Sequence, residues 1–302
     1  MPSDFPYDVL IIGGSAAGLS AATTLGRARR RVLVLDAGQP CNRPAPHSHG
    51  FLTRDGMPPA QLTAVAREQL GTYPTVVLQA GIAVRAEAHA SGYRVTTAEG
   101  ATYAARKLLL ATGLHDELPL IPGFAECWGR SVLHCPYCHG YEVHSQPLGV
   151  LGNGDAGFEF ARLIHQWSPD VRLFTNGPTT LTAEQTALLT VHGIEVIEAR
   201  ITAIAHEAGQ LHHVELAAGS RVPLRALFAR VPFRQSSDLG ARLGCELTET
   251  GLLRCDEFGR TTVPGVYAAG DNSSPLRQLM AAAASGMKAG AFINHDLIAA
   301  DF

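Results

Sequence analysis

The feature that most limits how this chain can fold is a six-residue glycine turn that occurs twice, each time between an apolar run and a helix-forming stretch. Tyr7–Ile12 leads into Gly13-Gly14-Ser15-Ala16-Ala17-Gly18 and then residues 19–29. Leu148–Leu151 leads into Gly152-Asn153-Gly154-Asp155-Ala156-Gly157 and then residues 158–167. Each reads as strand, turn and helix, followed by a further strand at 31–35 and at Val171–Phe174. Two such openings predict an internal duplication: an α/β chain of two Rossmann-like dinucleotide-binding domains rather than one extended sheet.

Residues 93–97 and 101–110 flank Ala98-Glu99-Gly100, and residues 211–216 and 222–228 flank Ala217-Ala218-Gly219-Ser220, which are hairpin signals. Each half is therefore expected to be three-layered, with a parallel sheet plus a small antiparallel sheet. Loop-like stretches containing Pro, at 114–122 and 231–239, are the expected crossings. The second domain, 115–239, is then inserted in the first, which comprises 1–114 and 240–302 and ends with a helix over 276–299. A length of 302 residues suits two domains of ordinary size.

A glycine turn at a helix start lets backbone N–H groups meet a pyrophosphate, and the positive end of the helix dipole adds to this. Asp36 follows the first turn by roughly 20 residues, where an acid can take ribose hydroxyls. Ser15 stands where a second glycine is usual and crowds the approach slightly. A plain strand-to-helix turn is the alternative. The second turn keeps Gly-x-Gly-x-x-Gly, but Phe174-Thr175-Asn176-Gly177 offers neither an acid for a ribose 2′-hydroxyl nor an arginine pair for a 2′-phosphate. That half either binds a nicotinamide cofactor poorly or serves as scaffold. Further on, residues 262–271 read as a strand ending in Gly270-Asp271 before an Ala-rich helix. An aspartate there can bond a flavin's ribityl chain, and the helix start favours negative charge on its reduced ring.

Six cysteines occupy positions 41, 127, 135, 138, 245 and 255, too few for a secreted disulfide scaffold of this length. Only Cys135-Pro136-Tyr137-Cys138 has a chemically meaningful spacing, and His134, His139 and His144 surround it. A redox dithiol fits best, because zinc knuckles need a second pair or closing histidines; a zinc site and an inert pair are the alternatives. His139, directly after the second thiol, can take and return the proton that thiol–disulfide exchange requires. No metal is expected.

Hydrophobic residues at 46%, charged residues at 17% and a net charge of −3 describe a well-packed chain with no electrostatic footprint for nucleic acid or an anionic membrane. The basic cluster at 27–31 reads as a solvated helix C-terminus. No stretch approaches the roughly 20 apolar residues of a bilayer span, and no charged-then-apolar signal pattern opens the chain. A cytoplasmic location is expected.

With these motifs in place, the chain resembles the low-molecular-weight thioredoxin reductases over nearly its whole length. The resemblance rests on the first glycine turn, Ala111-Thr112-Gly113, the redox pair just before Gly152-Asn153-Gly154, and Ala269-Gly270-Asp271 with Arg277-Gln278. It implies that Cys135 faces the substrate and Cys138 the flavin. It also implies FAD contacts from Gly13, Gly14, Ser15, Ala16, Ala17, Gly18, Asp36, Ala37, Gly38, Thr112, Gly113, Gly270, Asp271, Arg277, Gln278 and Leu279, and a homodimer. The domain of 1–114 and 240–302 would hold FAD, and the inserted one would be NAD(P)-binding-like.

Typical members carry Asp after the second cysteine and a His-Arg-Arg-type segment for NADPH; His139 and residues 174–177 depart from both. The departures are similar to the branch that includes dithiol oxidases acting on gliotoxin and holomycin, in which oxygen reoxidises the flavin. Pro46-His47-Ser48-His49-Gly50-Phe51 is similar to that branch too, which implies that Asn42 and His49 lie near the flavin. Three functions follow: an FAD-dependent oxidase of small-molecule dithiols, a reductase of a thioredoxin-like protein fed by NADPH or another donor, and a non-catalytic redox sensor.

Overall fold

A computed structural model describes residues 5–302, and these form two compact α/β units. One unit holds the described residues up to Arg43, Gly50–His115 and Phe233–Phe302; the other holds Pro44–His49 and Asp116–Pro232.

In the first unit, Tyr7–Ile12 pairs in parallel with Val32–Asp36 and Thr102–Leu110, with Val76–Ala80 and Val266–Ala268 beyond them. The central strands Tyr7–Ile12, Val32–Asp36 and Val266–Ala268 are almost wholly buried and read as near-continuous apolar runs because both sheet faces are covered there, whereas Val76–Ala80 at the edge is largely exposed. Val9 and Ile11 pack with the helices Ala16–Arg27 and Leu279–Asp301, while Leu10 and Ile12 pack on the opposite face with Ala86, Tyr93 and Val95. That second cover is the antiparallel meander Ala83–His89, Gly92–Thr97 and Thr102–Leu110.

The two helices run in parallel and touch through their smallest residues. A side chain on Gly286 would overlap the carbonyl of Ala17, and one on Gly290 would come within 2.9 Å of the Ala21 carbonyl. At the far end, Arg30 bonds Asn294 at 2.7 Å and Asp301 at 3.0 Å. Arg260 donates two hydrogen bonds to Asp296, 2.8 and 2.7 Å long, which hold that carboxyl below its usual range against the opposing effect of burial.

The second unit repeats the plan in smaller form. Its parallel sheet runs Glu195–Ile197, Val171–Phe174, Leu148–Leu151, Ala226–Ala229, Val132–Leu133. A three-stranded antiparallel sheet accompanies it, formed by Ile201–Glu207, Gln210–Leu216 and Arg221–Pro223.

The structure corrects several boundaries. The strand expected over 222–228 is two: Arg221–Pro223 closes the antiparallel sheet, and Ala226–Ala229 is a fully buried parallel strand. Pro223 has no N–H with which to extend a ladder, and the chain changes sheets there. The helices after the glycine turns begin inside the turns, as Ala16–Arg27 and Gly154–Ile164, and the last helix begins at Leu279, after the extended Gln278. Residues 233–239, expected in the inserted part, pack with the first unit. There Ser236 N–H bonds the Gly113 carbonyl at 3.3 Å, and the Gln235 amide donates to the Gly251 and Asn272 carbonyls, both at 2.9 Å. Among the described residues, no helix is long and apolar enough to cross a membrane.

Replacing Gly286 by Ala should lower the urea midpoint by the equivalent of about 1–3 kcal/mol, the usual cost of overpacking. A gain of about 1 kcal/mol in helix propensity offsets it only partly. A midpoint equal to or above wild type would show that the helices separate without penalty.

Candidate functional site

The helices Ala16–Arg27 and Leu279–Asp301 begin at one cavity. Ser15, Ala16 and Ala17 line it from the first glycine turn, and Gln278 and Leu279 line it from the start of the C-terminal helix. Neither Ser15 nor Gln278 caps its helix with a side chain, so N–H donors at both starts are left for another acceptor. The turn needs glycine for close approach as well as for shape. A side chain at Gly13, whose φ is +112°, would strike the Ala111 carbonyl, and one at Gly18 would strike the carbonyl of Gly13.

Thr112, Gly113, Gly270 and Asp271 line the cavity from the strand ends, and Asn42 reaches it from the loop after the second strand. Asp271 faces Arg277, whose Nε lies 3.7 Å from its carboxylate. Asp36 accepts the Gly14 N–H at 3.1 Å and is also paired with Arg67. Gly14 is needed here too, since a Cβ would lie 2.7 Å from that of Asp36. Ala37 and Gly38 form the exposed turn that follows. Two adjacent helix starts, a glycine cradle and paired acids match what an adenine dinucleotide with a flavin demands of a protein. FAD fits these residues.

The second glycine turn is closed by its own chain. Asn153 Oδ1 accepts from the Gly154 N–H at 2.8 Å, the Thr180 N–H at 2.9 Å and the Thr180 hydroxyl at 3.2 Å. Its Nδ2 donates to the Pro178 carbonyl at 2.9 Å. At the end of the next strand, Asn176 accepts the Ile201 N–H at 2.8 Å and Thr175 donates to the Gly177 carbonyl at 2.7 Å. The Gly154 N–H and the polar side chains of Asn153, Thr175 and Asn176 are thus bonded within the chain.

Cys135 and Cys138 are joined in a disulfide around the single-turn helix Pro136–His139. Trp167 lies over this turn: a Cβ on Gly140 would come within 2.8 Å of its indole, and Tyr137 meets the ring edge-on at 5.4 Å. His139 is half-buried, and burial pushes its imidazole below the ordinary value; Glu142 opposes this and His49 adds to it. His49 belongs with this second unit, where its Nε2 lies 3.4 Å from Glu142 Oε1. His144 turns onto Tyr141, its ring stacked at 5.1 Å. Among the remaining cysteines, burial pushes the Cys127, Cys245 and Cys255 thiols up, which suits inert positions. Cys41 lines the cavity of the first unit.

The sequence reading missed several contributors. Arg67 meets Asp36 from the helix Pro59–Leu70, and fully buried Asn272 donates to the Leu110 carbonyl at 2.9 Å and to Thr112 Oγ1 at 3.3 Å. Glu142 pairs with His49, and Thr180 closes the second turn. The spacing of Glu142, a few residues past the thiols, is the one local signal among these.

Residues 7–288 match the family model described as pyridine nucleotide-disulphide oxidoreductase. The chain belongs to that family. Membership makes it an FAD-dependent oxidoreductase acting on sulfur groups, and its relatives support the thioredoxin reductase resemblance. This oxidoreductase is similar to the thioredoxin reductase sirT of Leptosphaeria maculans, 32% identical over 98% of this chain and 95% of that one. It is also similar to the solved oxidoreductase from Agrobacterium tumefaciens, 39% identical with a TM-score of 0.91, covering 97% of this chain and 98% of that one. The structure of HlmI is 39% identical with a TM-score of 0.92, covering 98% of this chain and 93% of that one.

Two outcomes are expected for this oxidoreductase. Asn153→Ala should cost about 1 kcal/mol in urea unfolding, the usual loss for an N-cap; an unchanged midpoint would mean that the closure contributes nothing. Since burial keeps His139 neutral to lower pH, the ratio of wild-type to His139→Asn rates of disulfide reduction by dithiothreitol should fall on the acid side with a midpoint below about 6.5. A midpoint at or above that value would remove His139 as the buried base.

Proposed function

We propose that this chain oxidises a small-molecule dithiol, with oxygen as the final acceptor and hydrogen peroxide as the second product. The observation that carries the reading is the second glycine turn, whose Gly154 N–H is already taken by Asn153 Oδ1, an oxygen that Thr180 holds in place with two further hydrogen bonds. FAD, when bound, supplies a two-electron carrier that oxygen can reoxidise.

The remaining roles fall to the chain. Gly13 to Gly18 and the first helix start cradle the pyrophosphate, Asp36 with Arg67 orders the ribose end, and Asp271 with Arg277 orders the other end. At the thiol site, one substrate thiol gives its proton to His139, and the thiolate attacks Sγ of Cys135. A mixed disulfide forms, the Cys135–Cys138 bond breaks, and Cys138 leaves as a thiolate. The second substrate thiol, deprotonated in turn, attacks the substrate sulfur of the mixed disulfide and releases Cys135. The substrate leaves as a disulfide, two electrons poorer. Cys41, Cys127, Cys245 and Cys255 form no disulfide, which suits a reducing compartment, and a cytoplasmic homodimer completes the reading.

A second reading, a reductase of a thioredoxin-like protein fed by NADPH or another donor, is favoured by the name of the sirT relative. Anaerobic mixing of the yellow protein with dithiothreitol, NADPH and NADH in turn separates the two. Bleaching by the dithiol alone, reversed by air, is the outcome expected; rapid bleaching by a nicotinamide would sink the oxidase reading. Cys138→Ser leaves no disulfide for the dithiol to attack and should not bleach with dithiothreitol; a variant that still bleached would refute the role given to Cys138.

A further inference from the structure

Oxidising a dithiol frees protons at a half-buried base, and the structure offers that base an outlet. His139 ends the turn that carries the disulfide, and the next short helix, Tyr141–Val143, follows directly. Val143 is buried and anchors that helix, whereas the Glu142 side chain is 42% exposed. Its carboxylate is held by His49, which arrives from the Pro44–His49 segment and is itself only 20% exposed. The titratable groups gathered here are His139, Glu142, His49, His47, whose ring centre lies 6.4 Å from that of His49, and His144 on Tyr141. Of these, Glu142 is the acceptor that combines an ion pair with the site's own histidine and direct access to water.

We propose that Glu142, clamped by His49, is the solvent end of a proton path that begins at His139. The inference rests on the dithiol–disulfide exchange proposed above. Each thiol that enters loses a proton to His139 as the sulfur–sulfur bonds exchange; the proton passes to the Glu142–His49 pair and on to water, and His139 returns to its neutral form for the second thiol. Glu142 touches no substrate and is a positioning residue that acts through His139. Burial makes the imidazolium a poor resting place for the proton, and a carboxylate three residues on, open to solvent, gives it somewhere to go.

The test uses the whole flavoprotein and reads the cysteines themselves, by mass after quenching dithiothreitol reduction with a thiol-trapping reagent. Glu142→Gln should reduce the Cys135–Cys138 bond roughly tenfold more slowly than wild type in dilute buffer. The rate should recover as imidazole or formate buffer is raised, while wild type stays insensitive to buffer. Glu142→Asp should keep most of the rate, and His49→Asn should share the buffer dependence. An unchanged Glu142→Gln rate, or a loss that no buffer restores, would overturn the path and leave the exchange reading standing. A wild-type disulfide that dithiothreitol fails to reduce would overturn both.

Discussion

The close approach of the first and last helices sets the geometry of the first unit. Gly286 lies on the Ala17 carbonyl and Gly290 on that of Ala21, which only glycine permits. Because the helices run in parallel, their positive ends meet at one place, an arrangement that repels itself unless something negative sits there. Leu279 begins its helix seven residues before the Gly286 contact, whereas Ala16 begins its own just before Ala17. At 1.5 Å per residue, the two starts are offset by about 10 Å along the axes. One offset pair of donor-rich ends suits a ligand with two separate electron-rich groups. A dinucleotide that joins a pyrophosphate to a flavin is such a ligand.

The second unit uses the same opening with a different local bonding pattern. Gly152 and Gly157 still pack against each other, so the strand, turn and helix persist. What differs is where the donors go. Ser15 leaves its helix start open to the cavity, while Asn153 spends its amide across the turn on Gly154, Thr180 and Pro178. A duplicated fold can therefore keep its architecture and redirect a donor of the turn by one side chain and the loop that meets it. The Cys135–Cys138 turn sits in this unit, under Trp167.

Much of this was legible in the sequence wherever the signal is local. The glycine turns, the strand ending at Gly270-Asp271 and the Cys135–Cys138 pair are short patterns whose chemistry depends on neighbours in the chain. The hairpin at 222–228 misled because its apolar run is continuous, although Pro223 marks the change of sheet. Arg67 on Asp36, Asn272 beneath Thr112 and Gln235 beneath Asn272 were not legible, since each joins segments far apart in sequence. His49 is the clearest such case. The short segment Pro44–His49 that carries it is flanked on both sides by residues of the first unit, yet it packs in the second, and no spacing rule carries a residue from position 49 to a pair at 135 and 138.

That displacement has a chemical meaning. A thiol-exchange turn needs a base that is neutral when the substrate arrives, and burial of His139 provides it at the expense of the charged form. The deeper such a base is buried, the less well it can hold the proton it has taken. Glu142 opposes this and raises the imidazole's pKa, but burial outweighs it. His49, brought to Glu142 from another part of the chain, acts with burial to lower the imidazole's pKa, so the turn keeps a neutral imidazole with a solvent-open carboxylate three residues on.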